Sequence, residues 1–258
     1  MPSYILPHSI PQEDRRLTLM SRLLDPNTCF RIEQTGVRRG WSCLEVGAGN
    51  GSVSYWLASK VGPGGRVVSA DMDTNFLERL NLPNLEVRKL DIVSEAIETS
   101  SYDLVFARAI LHHLPSRFDV IGKLAGAVKT GGYIVLEEPD FHPAGCAENA
   151  TWRDFWEGIT SWAAEKGVDY YIGRKVAPRL QELGIEDIKS HGETLLFNGG
   201  SDGAEYYKLF IEEVGADLVD TDYVTQNLMD DVLALLQDPS FWSMNISFIV
   251  TSGRKPEK

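Results

Sequence analysis

A chain of 258 residues with 43% hydrophobic and 24% charged residues has the composition of a globular protein, and room for one large domain with insertions rather than two equal domains. Its formal net charge of −12 works against a polyanionic partner, because nucleic-acid binding draws on a basic stripe that releases counterions; DNA and RNA are excluded as direct substrates on this reading. No stretch approaches the roughly 20 apolar residues of a membrane helix, and Met1 to Pro11 lacks the basic start and apolar run of a secretory leader, so a cytoplasmic protein without a membrane partner is expected.

The first forty residues read as a helical extension. Arg16 to Leu24 carries apolar residues at Leu17, Met20, Leu23 and Leu24, and Asp25-Pro26 supplies a cap and first residue for a second helical segment reaching Val37. From Trp41 the pattern changes to short apolar runs alternating with amphipathic stretches. Strands are predicted at Ser42 to Val46, Arg66 to Ala70, Leu85 to Leu90, Asp103 to Ala107 and Gly132 to Glu137. The helices between them are Ser52 to Lys60, Thr74 to Leu80, Ser94 to Glu98 and Arg117 to Lys129. Such alternation implies right-handed crossovers and a mostly parallel, doubly wound α/β sheet, with ligands beyond the carboxyl ends of the strands.

After Glu138 the alternation breaks. Thr151 to Lys166 sets Trp152, Phe155, Trp156, Ile159 and Ala163 at helical spacing, with Trp162 beside them. A helix at Arg174 to Leu183 and strands around Ile188 to Phe197 and Met244 to Thr251 complete the pattern. Helices at Ala204 to Val214 and Thr221 to Leu236 separate those last strands. Residues 1–40 are thus an extension and 41–258 one domain, with substrate-side insertions at about 141–172 and 198–240. Cys29, Cys43 and Cys146, odd in number and widely spaced, form neither a disulfide framework nor a zinc pattern. They are expected to be reduced packing residues, and no metal site is expected.

Three successive strand ends carry ligand chemistry. Leu44-Glu45-Val46-Gly47-Ala48-Gly49-Asn50-Gly51-Ser52 runs a buried strand through three alternate glycines into a helix, so backbone can approach a ligand closely while helix-start N–H groups face its anionic end. The third glycine comes one residue too early for a dinucleotide fingerprint, which disfavours NAD. Asp71, at the end of the next strand and twenty residues beyond Gly51, suits both hydroxyls of a ribose, while Asp73 is a ribose ligand or a helix cap. Asp91, ending the third strand, can accept a bond from an adenine amino group, with Met72 and Ile92 on the two faces of the ring.

These pieces resemble the class I S-adenosylmethionine-dependent methyltransferases, in particular the bacterial small-molecule branch near the quinone-biosynthesis methyltransferases. The resemblance is carried by LEVGAGNGSVSYWLA (Leu44 to Ala58), GPGGRVVSADMD (Gly62 to Asp73), KLDI (Lys89 to Ile92), YDLVFARAILHHL (Tyr102 to Leu114) and GGYIVLEEPD (Gly131 to Asp140), in the family's order. It implies a Rossmann-like seven-stranded sheet with an antiparallel last strand, and S-adenosylmethionine as cofactor. Gly47, Ala48, Gly49 and Gly51 would line the methionine and ribose portions. Glu45 would orient that loop or meet the amino group, Asp71 and Met72 would bind ribose and adenine, and Asp91 and Ile92 the adenine edge and face. Arg108 and Ala109 would lie against the methionine moiety through backbone carbonyls.

A sulfonium methyl is already activated, so in-line positioning does most of the work and a base is optional. For a phenol or alcohol acceptor the candidate bases are His113, Glu138 and His142, with His112 either facing the acceptor or packing against the neighbouring loop. Trp152, Trp156, Tyr170 and Tyr206 are candidate pocket walls, which suggests an aromatic or polycyclic metabolite of the kind modified in natural-product tailoring. The N-terminal segment with Tyr4, Arg15 and Arg16 either folds over the cofactor or mediates a homodimer. Two other readings stay open: a cyclase or other non-methyl-transferring enzyme on the same fold, and a non-catalytic cofactor-binding protein.

Overall fold

The computed structural model describes residues 11–257; Tyr4 lies outside them. Helix α1 (Pro11–Glu33) is followed by β1 (Ser42–Val46), α2 (Ser52–Val61), β2 (Arg66–Asp71), β3 (Leu85–Lys89), β4 (Tyr102–Arg108), α3 (Arg117–Ala127) and β5 (Val128–Asp140). Then come the short α4 (His142–Gly145), α5 (Ala150–Glu165), α6 (Gly173–Glu182), β6 (Glu186–Asn198), α7 (Asp202–Asp220), α8 (Gln226–Leu235) and β7 (Trp242–Arg254). The seven strands form one sheet in the order β3-β2-β1-β4-β5-β7-β6. All neighbours run parallel except β7, which is antiparallel to both β5 and β6. The order reverses between β1 and β4, which opens a crevice at their carboxyl ends. The doubly wound, seven-stranded architecture expected from the sequence is the one present.

The strands form because their apolar runs are buried on both faces. Cys43, Leu44, Val67, Val68, Leu104, Val105 and Phe106 are all fully buried. One face of the sheet packs on α2 through Val53, Leu57 and Val61, and the other on α3 and α6 through Ile121, Leu124, Val176 and Leu180. A separate apolar core, dominated by rings, is made by α5, α7, α8 and the start of β7: Trp152, Phe155 and Trp156 meet Tyr207, Phe210, Phe241 and Phe248 there.

Three local expectations are corrected. Residues 11–33 form a single helix that continues through Pro26. Tertiary contacts anchor it on both sides of the proline: Leu24 is buried in the aromatic core, Asp25 pairs with Arg108 at 2.8 Å, and the Thr28 hydroxyl lies 2.6 Å from Glu137. Thr74 to Leu80 shortens to one 3-10 turn, Leu77–Arg79. Asp71 accepts from the Asp73 N–H and Asp73 from the Asn75 N–H, so side chains take the donors that a helix start would order. Ser94 to Glu98 is not helical because Asp91 holds the chain in a turn through the Val93 N–H and the Ser94 hydroxyl. Of the cysteines, Cys43 is buried and Cys29 half-buried as packing residues, whereas Cys146 is exposed, its Sγ 3.5 Å from His142 Nε2.

Candidate functional site

Strand β1 ends at Val46, and the chain then turns through Gly47, Gly49 and Gly51 with φ of 72°, 55° and 77° before α2 begins. A Cβ on Gly47 would lie 2.1 Å from Ile110 Cγ2, and one on Gly51 would lie 2.3 Å from Leu80 Cδ1. Gly47 therefore brings the loop against the segment that follows β4, and Gly51 tucks it against the turn after β2. The loop is hung on β2 by three bonds. Gly47 and Ala48 donate to Ala70 O at 2.9 and 3.2 Å, and Gly49 donates to Asp71 Oδ2 at 2.9 Å.

Gly47, Ala48, Gly49 and Asn50 form one side of a cavity of about 1330 Å³, open solvent at its mouth included. Asp71, Met72, Leu90 and Ile92 continue that side from β2 and β3, and Arg108, Ala109 and Ile110 close it from β4. Asp71 is 7% exposed, with its two carboxylate oxygens accepting from Gly49 and Asp73, so its position is fixed before any ligand arrives. Met72, 55% exposed, and buried Ile92 present apolar surface from the next strand ends.

Glu45 lies at the floor, 3% exposed, bonded by the Ser54 hydroxyl, which is itself 2.7 Å from Ser69. Burial pushes its carboxyl up to about 8, opposed by the Ser54 hydrogen bond and by Arg108. Arg108 is buried beside Asp25 and Thr28 (2.8 and 3.0 Å); burial works against its charge, and Glu137 and Asp25 more than offset it, so its pKa is raised. Burial likewise carries Glu137 up to about 7, with Arg108 opposing. Ala109 follows at φ 55°, a left-handed conformation that turns the chain off β4 into the histidine pair.

Glu138 and His142 are corrections. The Glu138 carboxylate is fully buried away from the cavity wall and accepts from the backbone N–H groups of Ile110 (3.0 Å), Leu111 (2.8 Å) and His112 (3.3 Å), with His112 Nδ1 at 3.0 Å. It organises the turn after β4 and has no access to a substrate. Burial pushes it up to about 8 against those donors. His142 is exposed and off the cavity wall, because it begins α4 on the outer side of the chain. His112 is buried, and burial followed by Arg117 and Arg16 holds it down to about 3, so its contact with Glu138 is a hydrogen bond and not an ion pair. Both His112 and His113 reach the cavity wall, their rings 3.8 Å apart.

Two residues expected at the cofactor, Asp91 and Gly51, lie off the lined wall. Asp91 is off the wall, its carboxylate engaged by Ser94 and Val93 and held below its usual range by those bonds. Gly51 serves the packing of the loop against Leu77 and Leu80 and is not part of the wall. Glu45, Gly47, Ala48, Gly49, Asp71, Met72, Ile92, Arg108 and Ala109 all border the cavity.

The far side of the cavity is aromatic. Trp156 from α5, Tyr206, Tyr207 and Phe210 from α7, and Phe141 and Tyr170 flanking α5 enclose it with Ile246 and Phe248 of β7. Phe141 and Tyr170 stack at 3.9 Å, 5° from parallel, and Trp156 meets Phe141 edge-on at 5.0 Å. Trp152 is a further correction: it is fully buried behind Trp156 and does not reach the wall, being the next residue inward along the same helix stripe.

Of the two roles the sequence left open for the N-terminal segment, covering the site or pairing two copies, the structure sets α1 on the cavity wall through Arg16 and through Leu17 and Met20, which the sequence did not single out for it. Arg16, Leu17 and Met20 border the cavity, Leu17 Cδ2 lying 3.5 Å from where a Gly49 Cβ would stand. Arg16 and Glu13 form a buried pair through Nε–Oε2 and a terminal guanidinium nitrogen to Oε1, each 2.7 Å. Arg15 binds Glu205 and Arg22 reaches Asp202, which fastens α1 to α7. The apolar spacing of Leu17 and Met20 signalled a helix, but not what that helix covers. Tyr207 and Phe210 were visible as one stripe with Tyr206, and only packing decides which of them face the ligand.

Residues 44–136 match the family model described as a methyltransferase domain. Similar curated proteins include a ubiquinone biosynthesis O-methyltransferase of Burkholderia orbicola, 33% identical over 135 residues, covering 45% of this chain and 57% of that protein. A trans-aconitate 2-methyltransferase of Rhizobium rhizogenes is 28% identical over 111 residues, covering 42% and 43%. The chain thus spans about half the length of these relatives. Among solved structures, a phosphoethanolamine N-methyltransferase of Haemonchus contortus superposes with a TM-score of 0.56 at 18% identity, covering 95% of this chain and 53% of that one. The cyclase SpnF does so with 0.56 at 17%, covering 91% and 81%. These structures share the fold.

Proposed function

We propose that this chain, whose residues 44–136 match a methyltransferase domain, transfers the methyl group of S-adenosylmethionine to a small, largely apolar aromatic or polycyclic acceptor. One observation carries the reading: a pre-set carboxylate at the end of β2 and a left-handed glycine loop at the end of β1 open onto the same cavity as a wall of rings.

The residues present fit the cofactor. Asp71, already anchored by two backbone N–H groups, has acceptor capacity for the vicinal hydroxyls of a ribose. Met72 and Ile92 would lie against adenine, and the Gly47–Asn50 backbone would border the sugar and the amino-acid portion. Glu45 carries the one carboxyl at the cavity floor and would meet the ammonium. When bound, the cofactor supplies a methyl group on a positively charged sulfur, which a lone pair of the acceptor can take by in-line displacement.

The chain's own part is positioning and exclusion of water. Leu17 and Met20 of α1 cover the loop from above, and Phe141, Tyr170 and Trp156 would hold a flat acceptor from the other side. For a hydroxyl acceptor His113 is the proposed base, since His112 is neutral and bound to Glu138, while Glu138 and His142 have no line to the cavity. The acceptor proton would pass to His113 as the new bond to carbon forms and the carbon–sulfur bond breaks, leaving S-adenosylhomocysteine. A homodimer and a role in natural-product tailoring belong to the same proposal.

Calorimetry tests it. S-adenosylmethionine and S-adenosylhomocysteine should both bind, whereas NAD binding without response to either would overturn the reading. Methyl transfer from labelled cofactor to a phenol panel then separates a methyltransferase from a cyclase or a binding protein, and His113→Ala should lower kcat for hydroxyl acceptors.

A further inference from the structure

The two edges of the sheet are finished differently. Strand β3 ends it on one side with five residues, and the charges there are spent within the chain: Glu86 on Arg66 and Arg88, and Arg88 also on Glu98. Strand β6 ends it on the other side with 13 residues, and among the described residues no strand pairs with its outer side. Its ladder to β7 runs without a break from Lys189 to Thr194, and all of that stretch except half-buried Glu193 is exposed. A regular, uncovered edge of this kind presents unpaired N–H and C=O groups to any strand that meets it.

The charges on this edge are of both signs and unspent. Lys189 and Glu193 have no ion-pair or side-chain hydrogen-bond partner among the described residues, and they stand two positions to either side of His191, on one face of the sheet. When a second β6 lies antiparallel with His191 opposite His191, each Lys189 falls opposite a Glu193 of the other copy, which gives two ion pairs related by a two-fold axis. A like-charged edge would repel its own copy; this one attracts it. Gly192, next to that axis, is not required by the chain itself: its φ is not left-handed, and a Cβ there would stand in ordinary contact, 3.7 Å from Ile249 Cγ1. A glycine inside a strand does let a second backbone come close. At the end of β6, Leu196 lies in register with Met244 and Asn198 with Trp242, so that Leu196, Trp242 and Met244, 68%, 63% and 39% exposed, add an apolar patch at each end of a two-fold join.

We propose that two copies of this chain join through β6, the two strands antiparallel about a two-fold axis at His191 and Lys189 of each copy paired with Glu193 of the other, so that the sheet continues across the dimer. This gives the homodimer of the functional proposal its interface, and it does not depend on which reaction the cavity catalyses. The join lies one strand away from Ile246 and Phe248 of the cavity wall, Glu193 being in register with Phe248.

Analytical ultracentrifugation of the full chain over a range of concentrations tests the pairing. The wild type should show a monomer–dimer equilibrium. Lys189→Glu and Glu193→Lys should each weaken the dimer about tenfold, because each sets two like-charged pairs where attractive ones stood, and the double exchange should restore it to within about threefold of the wild type. On a Cys146→Ser background, which removes the exposed native thiol, His191→Cys should cross-link two chains under copper–phenanthroline oxidation, since opposed residues of antiparallel strands bring their Cα atoms within the span of a disulfide. The Cys146→Ser chain alone should not cross-link. The proposal fails if the wild type stays monomeric up to about 100 µM, if the dimer is indifferent to both single exchanges, if the double exchange is no tighter than either single one, or if the His191→Cys chains do not cross-link. Binding of S-adenosylhomocysteine, measured on the same samples, keeps the two readings apart: its absence in the wild type would strike the methyltransferase reading and leave this pairing standing.

Discussion

The two sides of the cavity are built by different means. The side formed by the ends of β1, β2 and β4 is largely backbone: left-handed glycines, N–H groups held on Ala70 and Asp71, and a turn after β4 fixed by Glu138. The opposite side is largely side chain: rings from α5 and α7, Ile246 and Phe248 of β7, and three residues of α1. Backbone geometry set by short segments is rigid and general, suiting a cofactor common to many enzymes. A wall of side chains drawn from distant segments can be refitted residue by residue, suiting an acceptor particular to one.

That contrast can be broken at the join. Glu138→Ala leaves three backbone donors, two of them buried, and His112 without their acceptor, and should lower stability by about 4 kcal/mol, at roughly 1 kcal/mol or more per orphaned group. Chemical denaturation measures it; a loss below about 1 kcal/mol would mean that the turn after β4 does not depend on this carboxylate. Next comes Asp71→Ala, which removes both the ribose acceptor and the Gly49 anchor. It should weaken S-adenosylhomocysteine binding about 100-fold, equivalent to about 2.7 kcal/mol, and leave ring-probe binding to the wall opposite little changed.

Glu45 supplies a smaller effect with a sign. Burial raises its carboxyl to about 8 in the free protein, so below that pH the group holds a proton that an ammonium ligand must displace. Affinity for S-adenosylhomocysteine should therefore rise as pH increases from 6 to 8, with proton release seen in buffers of different ionisation enthalpy. Glu45→Gln should cost about tenfold and flatten that slope; a pH-independent wild type would refute the assignment. Smallest of all, Asp91→Ala should change cofactor affinity less than about threefold, since its carboxylate is engaged by Val93 and Ser94, each such bond being worth only about 1 kcal/mol to the local turn. A tenfold loss would return Asp91 to the site.

Legibility in the sequence followed the same division. Gly47, Gly49, Asp71, Met72 and Ile92 could be placed because a strand end and its loop are contiguous, and the parallel register carries each end to the same rim. Asp91 and Glu138 had the right residue type at the right strand end, yet each was captured by nearby donors, a competition that residue type and position alone do not resolve. Trp152 and Trp156 share one helical stripe, and the sequence could not say which of two rings four residues apart would be covered by Phe197 and Phe241 and which would stay on the wall.

The sequence by itself determined the parallel sheet, its strand order of chemistry and the glycine–aspartate rim, because period, turn residues and contiguous motifs act over a few residues. Only the tertiary structure decided that α1 runs unbroken through Pro26 to lie on the glycine loop, that Glu13 closes on Arg16, and that Trp156 rather than Trp152 borders the cavity. The physical reason is range: hydrogen-bond competition and side-chain burial are settled among residues far apart in the chain, once the layers have packed.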